Sequence, residues 1–290
     1  MAWERKVSRT VRVRNEQTVG QLARLLLAIS DTGGGLGDIN MITETSRHVV
    51  RDITIYTDEL GQFEVVLEAM RANEGTVIVD VRDEVLALHL KGKIAIRSRF
   101  PIDSLATLRK VYTPGVAEVC LKIAKDPSMA RLYTSTSHMV AIVTDGTAVL
   151  GLGDIGPLAG MPVMEGKAML METLVGLSGI PILLNTKDTD QIIETIVNIA
   201  PTFAAIQLED ISAPRCFEIE ERLQKRLDIP VLHDDQHGTA VVTVAAMINA
   251  LKFTKKDIQD IEVVVNGSGA AGIAVTKLLM SMGMKKVILC

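Results

Sequence analysis

Residues 261–282 constrain the fold more than any other stretch of this 290-residue chain. An apolar run, IEVVV (261–265), meets a Gly-x-Gly-x-x-Gly string from Gly267 to Gly272. An apolar helical pattern, IAVTKLLMSM (273–282), follows directly. A buried strand feeding a glycine turn that opens a helix is the first βα unit of a doubly wound sheet. Its glycines permit the tight turn and bring backbone N–H groups against a pyrophosphate at the helix N-terminus. Residues 253–290 are therefore read as the start of a dinucleotide-binding, Rossmann-type domain, with a second strand beginning at 286. The residue that would read the ribose falls about 20 positions past the first glycine, at or beyond the last residue. A second string, Gly151-Leu152-Gly153-Asp154-Ile155-Gly156, is followed by Pro157. It reads as a rigid loop after a hairpin, with no helix opening behind it.

Upstream the periodicity alternates between helix and short apolar strand. Helices are expected at 115–125, 163–178, 188–199, 213–227 and 237–252, with strands at 181–184, 204–208 and 230–232. Asp145-Gly146 reads as a hairpin turn between strands 138–144 and 147–152. This pattern gives an α/β layer with a parallel sheet over 87–252, of which 87–105 reads as a linker.

Two of the strands end in acid pairs: Glu209-Asp210 in IQLED and Asp234-Asp235 in VLHDDQHG. Strand C-termini of a parallel sheet converge on one crevice. Four carboxylates gathered there repel unless a cation neutralises them, and all-oxygen ligands suit Mg²⁺ or Mn²⁺ better than Zn²⁺. Helix capping by Asp234 or Asp235 is the competing explanation. His233 and His237 flank the pair, but its place at a strand end argues against a two-histidine zinc site.

Acid–base candidates are few. Tyr112 precedes Thr113-Pro114-Gly115, a turn that opens a helix; the alternative is a half-buried packing tyrosine. Lys167 lies in the apolar helical stretch MPVMEGKAMLMETLVG. Desolvation near a cation would lower its pKa, as a general base needs; the alternative is a surface lysine with a buried stem. Lys187, after a strand end, faces the same crevice on this reading.

Residues 9–86 read as a separate βαββαβ unit of ferredoxin-like type. It resembles an ACT domain, which implies a small effector, with GGGLGD (33–38) as either its effector-binding turn or a flexible loop. Net charge is -4 and no basic block stands out, so nucleic acid is not an expected partner. No apolar run is long enough for a membrane, and residues 1–14 lack an export signal. The three cysteines have no metal or disulfide spacing, which suits reduced thiols and a cytoplasmic location.

Four strings taken together resemble the malic enzyme family, the short bacterial form in particular: SRFPIDSLATLRKVYTPGVA (98–117), DGTAVLGLGDIGPLAGMPVMEGKA (145–168), IQLEDISAPRCFEIE (206–220) and IPVLHDDQHGTA (229–240). The resemblance implies oxidative decarboxylation of malate to pyruvate and CO₂, with hydride transfer to NAD or NADP. It makes Tyr112 the general acid, Lys167 the general base, and Glu209, Asp210 and Asp235 the ligands of Mg²⁺ or Mn²⁺. It adds Asn266 to the turn Gly267, Ser268, Gly269, Ala270, Ala271 and Gly272 that contacts the cofactor, and implies a homo-oligomer. The chain stops after one βα unit and the start of a strand, so this polypeptide alone is expected to turn over little malate. The rival reading is an effector sensor on a non-catalytic scaffold.

Overall fold

A computed structural model describes residues 7–149 and 151–290. The chain divides into two compact units, one ending at Gly92 and the other starting at Lys93.

In the first unit, β1 (Val7–Glu16), α1 (Gln21–Asp31), β2 (Gly35–Glu44), β3 (His48–Thr57), α2 (Leu60–Ala72) and β4 (Thr76–Asp83) build an antiparallel sheet in the order β2-β3-β1-β4. This is the ferredoxin-like arrangement anticipated from the sequence. Alternation along β1 and β3 turns Val11, Val13, Ile53 and Ile55 to one face, where Leu25, Ile29, Phe63 and Met70 complete the core. The Gly-rich stretch is not a loop throughout, because β2 already begins at Gly35. A short α3 (Glu84–His89), capped by the Asp83 side chain, follows β4.

The second unit opens with α4 (Leu105–Val111), α5 (Val116–Lys125) and α6 (Ala130–Tyr133). Thus part of the expected 87–105 linker is helical at its start and borders a helix at its end. None of residues 93–139 is buried. The chain then enters β5 (Met139–Thr144), α7 (Pro157–Val175), β6 (Ser178–Leu183), α8 (Thr189–Ile199), β7 (Ala205–Leu208), α9 (Arg215–Arg226), β8 (Val231–His233) and α10 (Asp234–Thr254). The four strands are parallel, in the order β6-β5-β7-β8. Both faces of this sheet are covered, so its strands read as continuous apolar runs; Val140 through Thr144 are all buried. The α8 and α9 side contributes Ile192, Ile193, Ile196, Ile219 and Leu223 to the main core. On the other side Met164 and Ala168 of α7 pack against Ile142.

Two expectations fail here. No strand pairs with β5 as a hairpin. Both edges of β5 are taken by β6 and β7, and beyond Asp145 only an isolated bridge, Val149 to Gly153, forms; Leu150 lies outside the described residues. A helix does open behind the first glycine string: α7 starts at Pro157, six residues earlier than its apolar pattern suggests. Proline at the first helical position loses no hydrogen bond, which apolar periodicity does not register.

The last elements are β9 (Glu262–Val265), α11 (Ala270–Ser281) and β10 (Lys286–Leu289), with β9 and β10 parallel. Helix α11 packs on α10 through Ala240, Val244, Val275 and Leu279.

Candidate functional site

Strands β5 and β7 are neighbours whose connections leave in opposite directions, to β6 and to β8. Their C-terminal ends define a topological switch point, where a parallel sheet opens a crevice. Glu209 and Asp210 leave the end of β7, and Asp234 and Asp235 leave the end of β8 as the first turn of α10.

Consecutive strand residues point to opposite faces, so an unbroken β7 could not aim both Glu209 and Asp210 at one point. The chain avoids this by turning Asp210 into the left-handed region, φ 54°. Three contacts hold that turn. Asp210 N–H donates to Asp235 Oδ2 at 2.9 Å, Ala148 N–H donates to Asp210 O at 3.0 Å, and Glu209 N–H donates to Val143 O at 2.9 Å. One carboxylate oxygen from each of Glu209, Asp210 and Asp235 then lies within 4.8 Å of the others. Glu209 and Asp210 are buried, each only 3% exposed. The three residues assigned to a cation from sequence are thus brought together.

Lys167, on α7, reaches this cluster. Its Nζ lies 2.5 Å from Asp234 Oδ2 and 3.2 Å from Glu209 Oε1. Asp234 is not the N-cap of α10, a position taken by His233; it anchors the lysine. Burial alone pushes the Lys167 ammonium toward a lower pKa. The hydrogen bond to Asp234 and the charge of Glu209 outweigh it, and the net direction is upward, opposite to the expectation for a poised base. Two carboxylates without a cation favour the protonated lysine. Burial raises Glu209 to about 7 against the opposing pull of Lys167 and a 2.7 Å hydrogen bond from Gln207 Nε2. A buried carboxylate that resists ionisation beside two more acids is a donor set that a hard cation satisfies.

Three supports of the site were not legible from spacing. Asp145, 1% exposed, accepts from the Thr147 hydroxyl at 2.6 Å and pairs with Arg215 Nη2 at 2.8 Å. Arg215 also donates to Thr147 Oγ1 and to the Lys187 carbonyl, tying the loops after β5 and β6 to α9. Gln207 shares the face of Glu209 two residues away. Fully buried His233 places Nε2 3.3 Å from Asp235 Oδ2, and burial lowers its pKa toward the neutral imidazole. His237 turns away from the cluster to Glu220, so the two histidines do not converge. Lys187 pairs with Asp154 of the first glycine string rather than with the acids.

Tyr112 takes no part in the contacts described above. It caps α4, precedes a cis Thr113–Pro114 peptide, and is 66% exposed. Among the described residues its hydroxyl makes no hydrogen bond.

In the second glycine string the positions differ in what they require of the backbone. Gly267 adopts φ 120°. A Cβ on Gly272 would lie 1.8 Å from the Gly267 carbonyl oxygen, so only glycine lets α11 approach the turn. A Cβ on Gly269 would meet nothing within 4 Å, which leaves its backbone open to a ligand. Ala270 and Ala271 open α11, while Asn266 and Ser268 flank Gly267 in the same turn.

A family profile described as the malic enzyme N-terminal domain matches residues 98–224, and one described as the malic enzyme NAD-binding domain matches 236–288. The chain is 50% identical over 279 residues to the NAD-dependent malic enzyme of Geobacillus stearothermophilus, across 96% of this chain and 58% of that protein. It is 49% identical over 280 residues to NAD-dependent malic enzyme 1 of Bacillus subtilis, across 96% of this chain and 64% of that protein. It thus spans about three-fifths of the length of these relatives. The crystal structure of an NAD-dependent malic enzyme from Thermotoga maritima superposes with a TM-score of 0.70 at 46% identity, covering 72% of this chain and 55% of that one.

Proposed function

The chain belongs to the malic enzyme family, and on that premise we propose that it carries the cation and acid–base groups for oxidative decarboxylation of malate to pyruvate and CO₂. One observation carries this reading: three carboxylates from two strand ends meet within 4.8 Å, with the Lys167 amine 3.2 Å from one of them. Glu209, Asp210 and Asp235 would hold Mg²⁺ or Mn²⁺, and the turn Asn266–Gly272 would hold the pyrophosphate of NAD or NADP. When bound, the cation would polarise the substrate hydroxyl and offset developing enolate charge, and the nicotinamide would accept the hydride.

The remaining work falls to the chain's own side chains. Lys167 takes the C2 hydroxyl proton, and Asp234 fixes the direction of its Nζ. With a cation bound, the charge of Glu209 would be offset and would no longer favour the lysine ammonium, which would shift Lys167 toward the free amine that a base requires. Tyr112 delivers the proton to C3 of the enol. Its segment, 93–139, exposes Ile96, Phe100, Leu121 and Leu132, each at least two-thirds accessible. An uncovered apolar surface of this kind marks an interface, and we read the chain as a homo-oligomer. In the first unit, a cavity of 450 Å³ beside Gly20, Gln21, Glu44 and Arg51 would take a small effector, in keeping with an ACT-like role. No observation favours a sensor without the catalytic site.

Calorimetric titration with Mn²⁺, alone and then with malate, tests the reading. One Mn²⁺ site whose affinity rises when malate is present supports it. Malate binding that ignores Mn²⁺, or no Mn²⁺ site at all, defeats it.

A further inference from the structure

Glu220 is an acid that the proposed chemistry does not use, yet it is only 6% exposed. It lies on α9 and faces the first turn of α10. Its Oε1 accepts the backbone N–H of His233 at 2.9 Å. Its Oε2 accepts from Gln236 Nε2 at 3.1 Å and from His237 Nε2 at 3.0 Å. Three donors from residues 233, 236 and 237 thus converge on one buried carboxylate, bracketing Asp234 and Asp235. Helix α10 has no side-chain cap of its own, because its N-cap residue is His233. A carboxylate at a helix N-terminus satisfies exposed N–H groups and the positive end of the helix dipole. Here it comes from a different helix, so the same bonds also fix the rotation and depth of the turn.

The consequence reaches the site through two residues. Asp235 contributes to the carboxylate triad and accepts from Asp210 N–H, while Asp234 anchors Lys167. Given the cation reading above, on which this rests, we infer that Glu220 is a positioning residue: its clamp on α10 holds Asp235 in the cation cluster and Asp234 on the Lys167 amine. Residues that hold a metal ligand in place change metal affinity by roughly 10–100-fold when they are altered.

The test compares wild type, Glu220→Leu, Glu220→Gln and Asp235→Asn in the whole chain, at a temperature where circular dichroism shows all four folded. Mn²⁺ affinity is read by electron paramagnetic resonance, and amide exchange reports residues 233–237. The expected result is a loss of about tenfold or more in Mn²⁺ affinity for Glu220→Leu, with faster exchange confined to the start of α10. Glu220→Gln, which keeps one acceptor oxygen for His233 N–H, recovers part of both. If Glu220→Leu binds Mn²⁺ within twofold of wild type while Asp235→Asn does not bind, the clamp is wrong and the cluster stands. Unchanged exchange at 233–237 also overturns the clamp. A wild type that binds no Mn²⁺ removes the cluster reading and the clamp's purpose with it, and the flat wild-type curve tells that case apart.

Discussion

The β5–β8 crevice and the α4–α6 segment belong to the same compact unit but solve opposite problems. In the crevice nearly every polar group is paired: Asp145 with Arg215, Glu209 with Gln207 and Lys167, Asp234 with Lys167, Glu220 with the first turn of α10. Strands β5 and β7 beneath are buried over most of their length. The α4–α6 segment carries Tyr112 and has no buried residue, and its helices turn apolar side chains outward. Glu209, Asp210, Asp234 and Asp235 therefore sit at strand ends, and Lys167 reaches them from α7. Tyr112 rests in a segment that has no buried residue. A site assembled from both halves needs the second to be covered by something further.

The largest effect that sharpens this contrast is in the sheet core. Ile206→Ala, at 1% exposure, removes a β7 side chain packed between α8 and α9. It is expected to cost about 2–5 kcal/mol in chemical denaturation. A cost under 1 kcal/mol would mean that the crevice floor is not the rigid half. Next, Asp235→Asn should weaken Mn²⁺ binding by about 100-fold or more, since a direct ligand matters at least as much as its supports. Retained affinity would remove the crevice from the argument.

A third effect is pH-dependent. Glu209 has a folded pKa raised to about 7 by burial, above the unfolded value of about 4.3. A raised carboxyl stabilises the fold fully below the unfolded value, and that contribution is lost as pH rises through the folded one. Without metal, stability should therefore fall by something on the order of 3 kcal/mol between about pH 4 and 7.5. Saturating Mn²⁺, which binds the ionised form, should flatten the decline. A metal-free melting curve that rises through this window would contradict the assignment. The smallest effect tests the other half. Leu121→Ala on α5, 72% exposed, should change the stability of a dilute, monomeric sample by less than about 0.5 kcal/mol. It should lower the apparent mass in sedimentation if that face is an oligomer contact. A loss of several kcal/mol in the monomer would show that the segment has a core after all.

Much of this molecule is legible in the linear pattern because the chemistry is local. Gly267 and Gly272 declare a turn, since a φ of 120° and the close approach of α11 each call for glycine. The apolar runs at β5 and β7 declare a parallel sheet, since both faces must be dry. Acid pairs at the ends of β7 and β8 declare a crevice, since parallel strands end on the same side. Failures have equally physical causes. The Asp145-Gly146 dipeptide signals a tight turn, but a hairpin also needs a free edge, and β6 had already taken it. The pattern of α7 begins late because Pro157, a good helix opener, is invisible to apolar periodicity.

By itself, then, the sequence determined the alternation of helix and apolar strand, the strand–glycine–helix unit at 261–282, and the acid pairs at two strand ends, each from spacing along one strand or one helix. The choice of Glu209, Asp210, Asp235 and Lys167 came from the resemblance to the malic enzyme family. Tertiary structure decided what those residues experience. It set the left-handed turn at Asp210, the anchoring of Lys167 by Asp234, the upward shift of both Lys167 and Glu209, and the clamp of Glu220 on α10. These depend on distances between elements that lie tens of residues apart, and both burial and charge act through space rather than along the chain.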